Sequence, residues 1–101
     1  MSPAAFEVRP DAEGVLWVSG ELDLAVAEAF LEKAQVYLND QHDVVLDFSA
    51  LTFLDSSGIR AIIELVKAAG QVVVLNPTPI VRKVLEVAGV GQLGVRVTPD
   101  L

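Results

Sequence analysis

Asp43-Val44-Val45-Leu46-Asp47-Phe48, followed by Leu51-Thr52-Phe53-Leu54-Asp55-Ser56-Ser57-Gly58 and closed by Val72-Val73-Val74-Leu75, is the stretch that decides the fold. The runs Val44–Leu46 and Val72–Leu75 are continuously apolar, as expected of strands covered on both faces. Between them Ile59, Ile62, Ile63 and Val66 fall at i, i+3, i+4 and i+7, a helical stripe that ends at Gly70. Leu51–Leu54 reads as a short apolar connector. Residues 43–75 therefore form a βαβ unit, whose crossover is expected to be right-handed.

Working outward, Phe6 and Val8 alternate with Glu7 and Arg9 in a first strand, Phe6–Arg9. Asp11–Gly14 reads as a turn and Val15–Ser19 as a second strand, giving an N-terminal hairpin in which Trp17 is a packing residue. After Gly20-Glu21-Leu22-Asp23 the period changes to 3.6. Ala27, Phe30, Leu31, Ala34 and Leu38 define an amphipathic helix over residues 24–39, with Asp23 as its N-cap. Asn39–His42 is a loop, and His42 reads as a solvated residue rather than a catalyst. Beyond Asn76-Pro77, Thr78 is an N-cap and Pro79 an N1 proline. The third helix that follows carries the stripe Val81, Val84, Leu85 and Ala88 and is closed by Gly89. Val95–Thr98 supplies a last strand. The expected fold is a single α/β domain over residues 1–101, with a mixed sheet, the order ββαβαβαβ and helices packed on the sheet.

Composition narrows the function. The 101 residues include 7 Lys or Arg and 14 Asp or Glu, a net charge of −7, with one His and no Cys. That removes disulfide frameworks, iron–sulfur clusters, thiol nucleophiles and multi-histidine metal sites. Dispersed basic residues on an acidic chain disfavour nucleic acid as a partner. Mean hydropathy is +0.51. Yet no unbroken apolar run exceeds four residues, far short of the roughly 18 needed to span a bilayer. The N-terminus has neither the basic start nor the apolar length of a signal peptide. A cytoplasmic domain that does not insert into membranes is expected.

Three loops should gather at the carboxyl edge of the parallel strands: Gly20–Asp23, Leu51–Ser57 and Asn76–Thr78. The central one holds Asp55-Ser56-Ser57-Gly58 at the start of a helix. Two readings stand side by side. In one, the aspartate and serines only cap the first helical N–H groups. In the other, a serine hydroxyl stands exposed at the helix start, and Gly58 keeps larger groups from obstructing an approaching partner. Ser56 and Ser57 lack a neighbouring base for nucleophilic catalysis. No GxSxG elbow, Walker loop or GxGxxG fingerprint is present either. Glu21, Asp23 and Asp55 read as a solvated acidic edge rather than a carboxylate dyad or a magnesium site. Catalysis, metal and cofactor are not expected.

Gly20-Glu21-Leu22-Asp23 after a hairpin, Leu54-Asp55-Ser56-Ser57-Gly58 opening a helix, and Val81-Arg82-Lys83-Val84-Leu85-Glu86-Val87-Ala88-Gly89 together resemble the STAS domain of bacterial anti-sigma factor antagonists. The resemblance covers nearly the whole chain. It implies a non-enzymatic regulator that binds an anti-sigma factor with serine kinase activity and so frees a sigma factor. It further implies phosphorylation at Ser56, reversal by a PP2C-type phosphatase, and a partner-binding surface of Glu21, Asp23, Asp55, Ser56, Ser57, Gly58 and Arg60. A monomer or weak dimer is expected. Two departures are visible: Arg60 stands where some members have glycine, and the chain stops soon after its last strand. A short ending is shared by a second STAS branch, the small cytoplasmic subunit of Mla-type phospholipid ABC transporters, which resembles this chain in its GELD segment and binds the ATPase subunit.

Overall fold

The computed structural model describes residues 6–37 and 43–99; the expectations for Leu38 and His42 lie outside these. Strands β1 (Glu7–Pro10) and β2 (Val15–Leu22) form the hairpin, and helix α1 (Leu24–Gln35) leads to β3 (Asp43–Leu54). Helix α2 (Ser56–Ala69), β4 (Gln71–Leu75), α3 (Pro79–Val87), a 3₁₀ turn at Val90–Leu93 and β5 (Val95–Thr98) follow. The observed order matches the expected ββαβαβαβ.

The five strands lie in sequence order, β1-β2-β3-β4-β5. The β1–β2 pair is antiparallel and the other three pairs are parallel. Successive crossovers of one hand between neighbouring strands place every helix on the same face. Burial agrees with this arrangement. Leu16, Val18, Leu46, Phe48, Val72, Val74, Val95 and Val97 alternate along their strands and join Phe30 and Ala34 of α1 in one core. Ile62 and Leu65 of α2 and Val81 and Leu85 of α3 complete it. Phe6 closes the hairpin end of the core, its ring edge-on to Phe30 at 6.3 Å.

The other face carries the intervening residues, and here two expectations are corrected. Cover on both faces does not extend to all of β3, since Val45 is only half-buried while Val73 is buried. Trp17, expected as a packing residue of the hairpin, is 44% exposed on this face. Its indole Nε1 donates to Asp11 Oδ2 at 2.8 Å. Asp47, two ladder positions along from Val45, is 3% exposed and missed by pattern reading, because an aspartate inside an apolar run gives no sign of its depth. It accepts hydrogen bonds from the amide (2.8 Å) and hydroxyl (2.6 Å) of Ser49 and from Asn76 Nδ2 (3.4 Å), which meets its acceptor demand.

The stripe on α2 is also rotated. Its buried positions are Gly58, Ala61, Ile62 and Leu65, with Ile59, Ile63 and Val66 half-buried. The small residues Gly58 and Ala61 let the helix approach the sheet, so size outranked hydrophobicity in choosing the face.

Asp11 organises the hairpin turn. One carboxylate oxygen accepts from the amides of Glu13 (2.9 Å) and Val15 (3.0 Å), and the other takes the indole N–H. The Trp17 hydrogen bond, foremost, holds the Asp11 carboxyl below its ordinary value of 3.8. A lowered folded value means that the stabilisation is fully present above that ordinary value and is lost as pH falls below it through the lowered folded value. Fluorescence of Trp17, the sole tryptophan, should therefore change in an acid step below about pH 4. The step should disappear in Asp11→Asn; a step that survives this substitution would assign it elsewhere.

Candidate functional site

The site is built where β2 and β3 end together. Gly20–Leu22 and Leu51–Leu54, expected to be loop and connector, are strand residues. The register runs Trp17↔Asp47, Ser19↔Ala50, Gly20↔Leu51, Glu21↔Phe53 and Leu22↔Leu54, so β3 holds two extra residues in bulges. These bulges break the period-2 alternation and make the segment read as a connector. Thr52 Oγ1 donates to the Gly20 carbonyl at 3.0 Å, fastening the bulged region.

Because Leu22 pairs with Leu54, the two next aspartates emerge side by side in the chain order of the edge. Asp23 caps α1, accepting from the Ala25 amide at 3.0 Å. Asp55 caps α2, one oxygen accepting from the amides of Ser57 (2.9 Å) and Gly58 (3.2 Å). The Asp55 amide donates to the Leu22 carbonyl at 3.4 Å, joining the α2 start to the end of β2. Asn76–Thr78 reaches the same edge. There Thr78 is an N-cap by position only: its hydroxyl donates to the Leu51 carbonyl at 2.9 Å instead of bonding its own helix.

This geometry separates the two readings of Asp55-Ser56-Ser57-Gly58. Capping belongs to Asp55. Ser56 is the first residue of α2, exposed, and its hydroxyl makes no hydrogen bond among the described residues. Ser57 is half-buried and Arg60 exposed. Glu21 is exposed but pairs with Phe53 on the side opposite the buried Leu22 and Leu54, so it leaves the edge away from the helices.

Gly58 requires a correction. It is buried, and lies under the site rather than on it. A Cβ there would come within 2.8 Å of Leu22 Cγ and 3.0 Å of the Leu22 carbonyl oxygen, and would overlap Leu54 Cδ1. Its lack of a side chain serves the packing of α2 on the paired strand ends, not the approach of a partner.

Two grooves flank the start of α2. One, of about 460 Å³ between α1 and α2, is lined by Leu24, Ala27, Leu31, Ser57, Arg60 and Glu64 among others. The other, of about 350 Å³ between α2 and α3, is lined by Ser56, Ile59, Lys83, Val84, Val87 and Ala88. Leu24 (77%), Ile80 (63%) and Val87 (75%) are far more exposed than large apolar residues usually are, and Phe53 is 42% exposed. Sequence reading passed over all four. Ile80 and Val87 carried a usable signal, each being apolar yet off the buried stripe of α3, whereas Leu24, three residues before Ala27, reads as part of the α1 stripe. Among the described residues no group of three or more His, Asp or Glu is placed to hold a metal ion. No helix of these residues is long and apolar enough to cross a membrane.

The family model described as "Mlab, STAS domain" matches residues 6–97. The chain belongs to the STAS domain family. It is 32% identical over 83 residues to an anti-sigma F factor antagonist of Lysinibacillus sphaericus, covering 76% of this chain and 71% of that one. Its fold is similar to the anti-sigma factor antagonist SpoIIAA in its unphosphorylated form, with a TM-score of 0.69 and 26% identity over 93% of this chain and 88% of the other. It is also similar to the Bacillus cell fate determinant SpoIIAA in the phosphorylated form, with a TM-score of 0.59 and 27% identity over 93% and 91% of the two chains. Within the STAS family the similarity thus extends to anti-sigma factor antagonists.

Three substitutions measure the division of labour at the α2 start by urea denaturation. Asp55→Ala should cost about 1 kcal/mol through the lost cap, and Ser56→Ala less than about 0.5 kcal/mol, as for a surface position. Gly58→Ala gains up to about 1 kcal/mol of helix propensity, but overpacking against Leu22 and Leu54 should outweigh it and leave a net loss of about 1–2 kcal/mol. Equal costs for Asp55→Ala and Ser56→Ala would restore the pure capping reading.

Proposed function

We propose that this STAS domain is an anti-sigma factor antagonist whose partner is an anti-sigma factor with serine kinase activity, and that Ser56 is the phosphorylated residue. The observation that carries the proposal is the exposed, unbonded hydroxyl of Ser56 beside the capping Asp55. A residue with no internal duty can be modified without dismantling the helix. Asp23, Asp55, Ser57 and Arg60 surround it as the docking surface, with apolar contact from Leu24 and Val87. Glu21 lies at its margin, and Gly58 acts only from beneath.

Phosphate adds a charge of roughly −1.5 to −2 and three acceptor oxygens. For the fold this is tolerable, since negative charge at a helix N-terminus is worth roughly 0.3–1 kcal/mol in its favour. For the complex it is not, because bulk and charge enter where a small hydroxyl was docked, next to Asp55. Phosphorylation therefore releases the partner while the domain stays folded, and a PP2C-type phosphatase restores binding.

The description of the matching family model favours a second reading, the small cytoplasmic STAS subunit of an Mla-type phospholipid transporter, docked on its ABC ATPase subunit through the same edge. The two readings part on phosphate.

Incubation with ATP and the candidate kinase should add one phosphate, mapped to Ser56 and absent from Ser56→Ala. Ser56→Asp should weaken kinase binding by about 2 kcal/mol or more, a factor of roughly 30, while leaving Tm unchanged or a few degrees higher. Native affinity in Ser56→Asp would overturn the switch. Absence of phosphorylation together with co-purification of an ABC ATPase would establish the transporter reading in its place.

A further inference from the structure

Arg60 follows Ser56 by four residues on α2, and both are exposed. Helical residues four apart are surface neighbours, with Cβ atoms roughly 5–6 Å from each other. Side chains on a helix lean toward its N-terminus, so the guanidinium can reach back one turn to position 56, although in the unmodified domain Arg60 lines the α1–α2 groove beside Ser57 and Ser56 lines the groove on the α3 side. Arg60 also makes no ion pair among the described residues, which leaves its five donors uncommitted.

The charges around it are arranged differently. Lys67 is paired with Glu64 at 3.3 Å and Lys83 with Glu86 at 3.5 Å. Glu28 and Glu64 line the same groove as Arg60 without coming within pairing distance. Asp55 and Asp23 turn their carboxylates onto helix amides. A phosphate on Ser56 would thus enter an acidic neighbourhood in which α2 itself holds one uncommitted cation, at the favourable spacing and downstream of the anion.

We propose that Arg60 is the internal receptor of the Ser56 phosphate, forming a charge-assisted, two-pronged pair across one turn of α2. The inference rests on Ser56 being the phosphorylated residue, and it adds a second element to the switch. A planar guanidinium matches two phosphate oxygens, and a group of nearly two negative charges displaces weaker solvated contacts with Glu28 or Glu64. In the unmodified domain Arg60 is available to a partner's acidic group. After modification it is withdrawn into an intramolecular pair, so the phosphate both repels the partner and removes a cation from the docking surface.

The experiment uses the full chain with phosphoserine inserted at position 56 during translation, so it does not depend on finding the kinase. The probe is the phosphorus NMR titration of that phosphate, whose second ionisation ordinarily lies near pH 6. With Arg60 present the midpoint should lie about 0.2–0.7 unit lower than in Arg60→Ala. The gap should close in about 1 M salt, and Arg60→Lys should keep part of it. Arg60→Gln, which preserves length and helix propensity, should behave as Arg60→Ala and guards against an effect of truncation. Equal midpoints in all four proteins would overturn the pairing, as would a midpoint that moves with Lys83→Ala and not with Arg60. Neither result touches Ser56 as the kinase target, which the ATP incubation judges separately.

Discussion

The pairing of Leu22 with Leu54 is the contact on which the rest of the edge depends. It ends β2 and β3 at the same level, so the residues that follow, Asp23 and Asp55, start two helices at one place. The bond from the Asp55 amide to the Leu22 carbonyl crosses this junction. Gly58 lies directly on it, with Leu22 and Leu54 filling the space where its Cβ would be. A core contact, a backbone hydrogen bond and a missing side chain thus fix the position and direction of the first turn of α2. Ser56 inherits its placement from them and contributes nothing to it.

This separation of duties explains how one residue can be both exposed and well positioned. Helix starts commonly use serine as the cap, and a capping hydroxyl is tied to backbone amides. Here aspartate takes that task one residue earlier, and the serine is left at N1, where its hydroxyl faces solvent. Modifying a capping residue would disturb the helix and spread the signal through the fold. Modifying the residue after the cap alters the surface alone.

Most of the architecture was legible because it rests on periodicities that the apolar residues carry by themselves. Val72–Leu75, the α1 stripe through Phe30 and Ala34, and the α3 stripe through Val81 and Leu85 were all readable from their spacing. The failures share a cause. Bulges in β3 removed the alternation that would have marked Leu51–Leu54 as strand. On α2 the closest approach to the sheet is made by Gly58 and Ala61, residues that hydrophobic counting ignores, so the stripe was placed one position too far round. Asp47 was silent because its burial depends on Ser49 and Asn76, the latter 29 residues distant and unpredictable as a partner. At the site, Asp55 and Ser56 were legible as a pair, but only the hydrogen bonds show which of them caps.

As the proposed docking surface, the region around Ser56 would join two kinds of recognition that respond differently to a charge. Leu24 and Val87, which line the two grooves at the α2 start, hold apolar area out of the core, where it adds nothing to the isolated domain and suits contact with another surface. Such contact is indifferent to salt and supplies affinity. On the proposed reading, the carboxylates of Asp23 and Asp55 and the guanidinium of Arg60 would supply orientation and steering, which salt screens. A phosphate on Ser56 would leave the apolar area where it was and act on the charged part only. In such a switch the −7 net charge of the chain would matter less as a total than through its distribution, since one added group would have to reverse a fit that several neighbouring charges define. If Arg60 pairs with that group as proposed, a single arginine would change how the added charge is seen from outside, and position 60 would carry weight out of proportion to its exposure.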